Sequence, residues 1–367
     1  MKYKSFLLEQ LASIKYGKNQ KKVQSDKGEV PIYGTGGFMG YATEALYSRP
    51  SVLIGRKGTI NKVRYVDHPF WTVDTLFYTE VNEEVILPKY FYYAMSLIDL
   101  DTYNEGTTIP SLRTGTLNQL EFDIPDLDYQ GRVLSIVEPL DEKIKLNMKI
   151  NENLQAQARI IFAREFLDFG TIPAGWNKSS LLEIANYLNG LAMQKFRPSE
   201  DEVGLPVLKI KELRQGRCDS SSELCSPSIK EEYIVHDGDV IFSWSGSLLV
   251  DLWCGGICGL NQHLFKVTSD NYDKWFYYAW TNYHLQKFAA IAADMATTMG
   301  HIKREELAKA EVLIPSQSDY DRIGALLAPM YDLIIANRVE NRQLILLRDS
   351  LLPRLMSGEI DVSDLDL

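Results

Sequence analysis

A seam of apolar residues and asparagines occurs twice in this sequence. Its members recur at alternating steps of four and three, the spacing of a helix that packs against another helix. The first copy contains Val133, Val137, Leu140, Ile144, Asn147, Asn151, Leu154, Ala158 and Ile161. The second contains Ile323, Leu327, Met330, Ile334, Asn337, Asn341, Leu344, Arg348 and Leu351. The offset is constant (323 − 133 = 190 and 341 − 151 = 190), so the chain is a tandem duplication whose copies each end in a long helix.

Short landmarks before each seam repeat as well. The strand-like Val30–Tyr33 parallels Leu205–Leu208, and the aromatic helix beginning at Lys89 parallels the one beginning at Lys274. The apolar spacing of residues 7–14 predicts a further short helix. We therefore expect two similar mixed α+β domains. The predicted boundaries are a first domain at 1–129, a first long helix at 130–167, a second domain at 168–319, a second long helix at 320–356 and an acidic tail at 357–367.

The stretches between the landmarks do not repeat. The segment GRKGTINKVRYVDHPFW of the first copy and SWSGSLLVDLWCGGICG of the second share almost nothing. Loops that diverge on a shared scaffold are typical of surfaces that recognise two different targets. Neutral drift is the alternative interpretation.

The charge distribution is uneven along the chain. The formal net charge is −10, and the last ten residues contribute four acids and no base. In contrast, residues 55–64 carry four cations and no acid, and Lys18, Lys21 and Lys22 cluster near the N-terminus. Local basic patches are compatible with nucleic-acid binding despite the acidic total, although each one could also be an ordinary solvated face. The sequence contains no leader-like segment and no membrane-length apolar run, so we expect a cytoplasmic protein without membrane contact.

Catalytic signatures are missing from the sequence. It contains no phosphate-binding loop, no H-E-x-x-H, no G-x-S-x-G and no G-x-G-x-x-G opening a helix. The four cysteines at 218, 225, 254 and 258 have spacings unlike those of zinc sites, so reduced, buried thiols are favoured over a metal centre. We therefore expect no catalytic residue, no metal site and no cofactor in this chain.

Several motifs resemble those of one known family, the specificity subunits of type I restriction-modification systems. They are the G-T-T-I-P-S-L turn at 106–112 followed by LNQLEFDIP, the I-P-x-G-W opening at 172–176, the asparagine-bearing helices and the closing LRDSLLPRLMSGE. The first copy lacks the I-P-x-G-W opening, which leaves the start of its domain uncertain.

The resemblance implies both a fold and a set of partners. Two target-recognition domains would each read half of a bipartite sequence in double-stranded DNA. The two long helices would pack antiparallel as a coiled-coil spacer and bind two methyltransferase subunits, and restriction subunits would join them. S-adenosylmethionine would be held by the partner subunits, which methylate adenine at N6. The helix from Leu140 to Arg164 would span about 37 Å at ~1.5 Å per residue, close to one DNA turn of ~34–36 Å.

Candidate DNA-binding residues are cations and small polar side chains in loops, because these reach phosphates and base edges. In the first domain they are Thr35, Arg56, Lys57, Thr59, Asn61, Lys62, Thr107, Thr108 and Ser111. In the second they are Lys209, Lys211, Arg214, Ser243, Trp244, Ser245, Ser247, Thr297, Thr298 and His301. The threonine pairs occur in both copies and therefore suit phosphate contacts better than base reading.

Two other functions stay open at this point. A helical hairpin carrying two interaction domains could act as a scaffold that never touches DNA, and salt-sensitive binding to duplex would exclude it. A self-sufficient DNA-modifying enzyme is the other possibility, which the missing cofactor and catalytic motifs disfavour.

Overall fold

The computed structural model describes residues 3–168, 170–294 and 301–365. The chain divides into two compact units, Met1–Glu142 with Leu346–Leu367, and Lys143–Ile345. The first unit is therefore built from both ends of the chain, whereas the second is one continuous segment.

The first unit begins with a strand, one helical turn and another strand. In chain order its elements are β1 (Lys4–Leu7), α1 (Leu8–Leu11), β2 (Ala12–Tyr16), β3 (Val30–Gly34), β4 (Gly37–Ala42), β5 (Ser51–Gly55), β6 (Val63–Val66), β7 (Trp71–Thr72), β8 (Leu76–Val81), α2 (Pro88–Ser96), α3 (Thr114–Asn118), β9 (Glu121–Ile124) and the start of α4 (Leu127–Phe166). They form sheets in the orders β1-β9, β2-β8-β5-β6 and β4-β3-β7.

The second unit repeats this order. Its elements are β10 (Asn177–Ser180), α5 (Leu181–Ile184), β11 (Asn186–Asn189), β12 (Leu205–Leu208), α6 (Ile210–Gln215), β13 (Leu224–Cys225), β14 (Ile234–Val235), β15 (Val240–Ser243), β16 (Leu249–Leu252), β17 (Cys258–Leu260), β18 (Leu264–Thr268), α7 (Lys274–Asp294), α8 (Arg304–Ala308), β19 (Glu311–Ile314) and α9 (Gln317–Met356). The sheets are β10-β19, β11-β18-β15-β16 and β13-β12-β17-β14.

Both units share the same strand pairing. Strands β3 and β7 pair in parallel, as β12 and β17 do, while the larger β2-β8-β5-β6 sheet corresponds to β11-β18-β15-β16 with antiparallel neighbours throughout. The predicted duplication of a mixed α+β domain is thus confirmed.

The helix predicted over residues 7–14 is wrong in extent. Only residues 8–11 are helical, and Ala12–Tyr16 instead pairs with β8, with Ala12 opposite Val81 and Tyr16 opposite Phe77. Leu8 and Leu11 are fully buried beneath this turn. A distant strand partner therefore overrides the local helical spacing.

The two long helices run antiparallel, as expected. Asn147 pairs with Asn341 and Asn151 with Asn337, so the residue numbers of facing positions have a constant sum (147 + 341 = 151 + 337 = 488). Most of the predicted seam is buried, namely Val137, Ile144, Asn147, Asn151, Leu327, Ile334, Asn337 and Asn341. Leu140, Leu154, Met330 and Leu344 are half-buried at the same seam. The coiled-coil interpretation of the seam is confirmed.

The segment after α9 packs on the first unit. Val362 is 2% exposed within the apolar core of that unit. Tyr129 donates its hydroxyl to the carbonyl of Ile360 at 3.2 Å, and Arg132 donates to the carbonyl of Ser363 at 2.7 Å. In the second unit, Trp176 of the I-P-x-G-W motif makes the corresponding contact with the start of the other long helix. Its indole donates to Asp319, near the start of α9, at 2.9 Å. The predicted acidic tail is therefore held against the first unit by buried contacts.

Candidate nucleic-acid interface

In the first unit, the basic loop between β5 and β6 is joined to the turn at residues 106–111. Lys57 and Ser111 form an antiparallel β-bridge. The Leu112 amide donates to the Arg56 carbonyl at 2.9 Å, and the Gly58 amide donates to the Pro110 carbonyl at 2.9 Å. Two segments that are about 50 residues apart in sequence therefore form one surface, and the predicted residues Thr107 and Thr108 are exposed on it.

The second unit repeats this junction between β15 and β16. Ser245 and His301 form an antiparallel β-bridge, and the Ile302 amide donates to the Trp244 carbonyl at 3.0 Å. A glycine with positive φ follows each bridged loop residue, Gly58 at +90° and Gly246 at +66°. Such angles are costly for other residues, so both loops turn by the same backbone geometry. The fold presents the two loops at equivalent positions.

The chemistry of these equivalent loops differs. In the first unit the loop carries Arg56, Lys57 and Lys62, and Arg64 follows it on β6, whereas residues 244–248 of the second contain an indole, two serines and no charge. Of the two serines, Ser247 is exposed, while the predicted contact Ser245 is buried. Cations favour phosphate oxygens and guanine, while hydroxyl and indole groups offer neutral donors and apolar contacts. One backbone frame therefore carries two different recognition surfaces.

The residues of the basic loop in the first unit differ in whether their side chains already bind other groups of the protein. Arg56 lies over the Tyr16 ring at 5.1 Å and donates to the Asp74 carbonyl at 2.9 Å. Asn61 donates to the Asp101 carboxylate at 2.8 Å. In contrast, Lys57 and Lys62 are exposed and meet no acidic side chain among the residues that the structure describes. Thr59 is exposed beside them, so Lys57, Thr59 and Lys62 are the most available of the predicted contacts.

In the second unit, Ser243 is fully buried, and its hydroxyl donates to the carbonyls of Ser245 at 3.2 Å and Ser247 at 3.0 Å. This geometry gives Ser243 the role of shaping the loop, whereas Ser247 is exposed on it. Trp244 donates its indole N–H to Asn189 at 3.0 Å. Its ring borders an open cleft whose other walls are Asn189, Phe265, His301, Ile302, Lys303, Arg304 and Glu305.

The predicted cations of α6 and of the residue that precedes it are partly neutralised. Lys209 forms an ion pair with Glu223, and Lys211 lies 3.9 Å from the Asp219 carboxylate. Hydrogen bonds from the Ser221 hydroxyl and amide lower the pKa of Asp219 to about 2, so this carboxylate is ionised at neutral pH. Arg214 is exposed and pairs with no acid in the described part of the chain. It is therefore the freest cation of the three.

The structure also reveals candidates that sequence reasoning missed. Lys303 and Arg304 lie at the start of α8 beside the Trp244 cleft, and Arg64 stacks on Tyr33 at 5.6 Å. No local pattern marks Lys303 and Arg304, and the basic run at residues 55–64 includes Arg64 without revealing its contact with Tyr33, because only tertiary contacts bring these cations to the surface in question. The tip of the β3–β4 hairpin places Thr35 against the basic loop, since a Cβ at Gly58 would lie 3.8 Å from the Thr35 hydroxyl oxygen. Thr297 and Thr298 lie outside the described residues.

The four cysteines are free thiols. Cys225, Cys254 and Cys258 are buried and Cys218 is half-buried. Within residues 3–168, 170–294 and 301–365, no cluster of three or more His, Cys, Asp or Glu side chains has the arrangement of a metal site. Nor does any helix in those ranges combine the length and apolar character required to cross a bilayer.

Comparison with known proteins identifies the family. The model of the family described as "Type I restriction modification DNA specificity domain" matches residues 1–156 and 173–345. A similar relative is the type I restriction enzyme MjaIX specificity subunit of Methanocaldococcus jannaschii, 23% identical over 87% of this chain and 80% of its own length. Another is the HindI specificity subunit of Haemophilus influenzae, 21% identical over 77% of this chain and 79% of its own.

A solved structure agrees with the fold. The S subunit of a type I restriction-modification system from M. genitalium superimposes with a TM-score of 0.67 over 97% of this chain and 96% of its own, at 15% sequence identity. The family match covers both copies of the duplicated domain and both long helices in part. The chain therefore belongs to the type I restriction-modification DNA specificity domain family.

Proposed function

We propose that this chain is the sequence-specific DNA-recognition subunit of a type I restriction-modification complex. Each unit reads one half of a bipartite target in double-stranded DNA through the loop that follows β5 or β15. The target-recognition domains are residues 1–129 and 168–319, and residues 130–167 and 320–356 are the spacer helices.

One observation carries the proposal. The bridges Lys57–Ser111 and Ser245–His301 hold the two loops at equivalent positions with the same backbone pairing. The side chains of the two loops nevertheless differ in charge and polarity. A duplicated frame with different side chains suits the reading of two different half-sites, because phosphate contacts are shared by all sequences while base contacts differ. The scaffold hypothesis is not favoured, since the family is defined by DNA specificity.

The partners follow from the family. The relatives are named as specificity subunits of type I restriction enzymes. We infer that this chain assembles with two methyltransferase subunits and with restriction subunits in the cytoplasm. The chain itself performs no chemistry, and S-adenosylmethionine is held by the methyltransferase partners.

The test is to map N6-methyladenine across the host genome with and without this chain. We expect one bipartite motif to lose its methylation when the chain is deleted. Exchanging residues 244–248 for the matching segment of another family member should then change one half-site only. A genome whose methylation is unchanged by the deletion would refute the proposal and favour a scaffold that does not read DNA.

A further inference from the structure

Strand β4 displays two aromatic side chains on one exposed face. It is an edge strand, and its register against β3 pairs Tyr33 with Phe38 and Ile32 with Gly40, so that Met39 is an extra, bulged residue. A bulge re-aims the side chains that follow it. Phe38 and Tyr41 are consequently brought together, with ring centroids 5.0 Å apart in an edge-to-face arrangement.

These rings are far more exposed than a folded domain requires. Phe38 is 56% exposed and Tyr41 is 45% exposed. A pair of aromatic side chains left exposed on one face of a strand favours association and is typical of a binding surface. We call this surface, comprising Phe38 and Tyr41, the β4 aromatic face.

A cation lies at the end of the β4 aromatic face. The Arg64 guanidinium stacks on the Tyr33 ring at 5.6 Å, and Tyr33 is directly opposite Phe38 in the ladder. A Cβ at Gly37 would lie 3.1 Å from Arg64 Nη2, so the guanidinium reaches the hairpin itself. Arg64 has no acidic partner among the described residues, and its charge is therefore available to a ligand.

A lysine-rich loop borders the other side of the same strand. The Ser25 amide donates to the Tyr41 carbonyl at 2.9 Å, and the Thr43 amide donates to the Val23 carbonyl at 2.8 Å. Residues 17–28 contain four lysines (18, 21, 22 and 27) and one aspartate (26), a net charge of 4 − 1 = +3. These lysines form no ion pair within the described part of the chain. Aromatic rings flanked by unpaired cations form a surface complementary to nucleic acid.

The β4 aromatic face is continuous with the basic loop, because Thr35 at the tip of the hairpin lies against Gly58. In the second unit, the connection that leaves β12, the counterpart of β3, is the cationic helix α6 instead of a hairpin. The two units therefore differ at a second equivalent position of their shared frame.

We propose that the β3–β4 hairpin is a second DNA-contacting element of the first unit. Phe38 and Tyr41 contact deoxyribose and base edges of the half-site, while Arg64 and the lysines of residues 17–28 contact its phosphates. This inference rests on the proposed function, because it assumes that the first unit binds duplex DNA.

The test uses the full chain assembled with its methyltransferase partners and a duplex carrying the mapped target. We expect Phe38→Ala to weaken binding about tenfold, as truncation of an aromatic interface anchor commonly does, and to relax base preference in one half-site. Phe38→Tyr should retain most of the affinity. The double variant Lys21→Ala/Lys22→Ala should lower the slope of log affinity against log salt by about 0.9 for each phosphate that is no longer neutralised.

Controls separate the possible outcomes. Leu97→Ala, which alters a residue 43% exposed at the end of α2, should leave binding unchanged. The half-site read by the second unit serves as an internal control. If the wild-type complex binds its target and both Phe38→Ala and the double lysine variant bind equally well, the hairpin proposal is overturned while the proposed function stands. If the wild-type complex shows no preference for any duplex, both fail. Should Phe38→Ala fail to fold, the double lysine variant decides.

Discussion

Asn337 donates its side-chain amide to the side-chain oxygen of Asn151 at 2.9 Å across the two long helices. The duplication supplies the matching bond from Asn147 to Asn341, also at 2.9 Å. The two acceptor asparagines in turn donate to backbone carbonyls in the same symmetric way, Asn151 to Ile334 and Asn341 to Ile144, each at 3.3 Å. Buried asparagines at a helical seam fix the register, because a shifted alignment leaves them without partners.

The asparagine pairs predict an asymmetry between single and double substitutions. Asn151→Ala leaves Asn337 buried without its partner and should lower the free energy of unfolding by about 1–3 kcal/mol. Replacing both residues with leucine should restore most of this stability, since no buried polar group is then unsatisfied. Urea unfolding measures the effect. Asn153→Ala, on the exposed side of α4, is the control, and equal destabilisation by Asn151→Ala and this control would contradict the prediction.

The pH dependence of stability should reveal the contact between Trp176 and Asp319. Hydrogen bonds from Trp176, Ser316 and Arg322 hold the pKa of the Asp319 carboxyl below its ordinary value. A group whose pKa is lower in the folded state stabilises the fold above its unfolded pKa of about 4, and this contribution disappears as the pH falls through the folded pKa. Trp176→Phe should therefore destabilise the chain more at pH 7 than at pH 3, as measured by urea midpoints. An equal decrease at both pH values would mean that the indole acts through packing alone.

Lengthening the helices should lengthen the recognised spacer, provided the insertion point is chosen from the structure. Arg338 and Arg342 of α9 bind Asp251 at 2.8 Å and Asp237 at 2.7 Å, so an insertion after Asn147 and Asn337 would shift both ion pairs. The units divide after Glu142 and after Ile345, and these breaks face each other because 142 + 346 = 143 + 345 = 488. A heptad at each break adds about 10 Å per helix at ~1.5 Å per residue.

The expected result of this insertion is a methylated motif with the same half-sites at a larger separation. Sequencing of N6-methyladenine reports it directly. A motif with its original spacing would show that the helices do not set the distance. A heptad inserted after Glu142 alone is the control, since it lengthens α4 but not α9, mismatches the two helices at the break and should abolish specific methylation.

Lys57 and Arg56 should behave differently although they are neighbours. Lys57→Ala removes an exposed, unpaired ammonium group and should relax the preferred bases of one half-site, at about 1–3 kcal/mol for a good base contact. Arg56→Ala instead removes the stack on Tyr16 and the bond to the Asp74 carbonyl, and should also lower the melting temperature. The methylated motif and thermal unfolding distinguish the two. If Lys57→Ala leaves the motif intact and only flattens the salt dependence, Lys57 contacts phosphate.

The helical hairpin could be predicted from the sequence because its signal is local. The seam repeats every three or four residues, and both asparagine positions are visible in it. The partner of each asparagine is not visible in the sequence. The duplication equates Asn147 with Asn337, whereas the antiparallel packing places Asn147 against Asn341.

The candidate site was harder to predict because it depends on distant partners. Local patterns identify the basic loop and the turn at 106–112, but not the bridge between Lys57 and Ser111 that joins them. The contact of Arg56 with Tyr16 requires β2 to be a strand, whereas the apolar spacing of residues 7–14 predicts a helix. Likewise, the exposure of Phe38 and Tyr41 depends on a bulge that no spacing rule reveals.

The division of the first unit between the two ends of the chain has a consequence for biosynthesis. Its core receives Val362, together with Leu352 and Leu355 of α9, all of which are translated after the whole of the second unit. The second unit is continuous, so every residue of its core is available before the first unit has received these last side chains. The first unit therefore cannot complete its core until residues 346–362 have been translated, although most of its residues precede the second unit, and until then part of its apolar surface is exposed to chaperones.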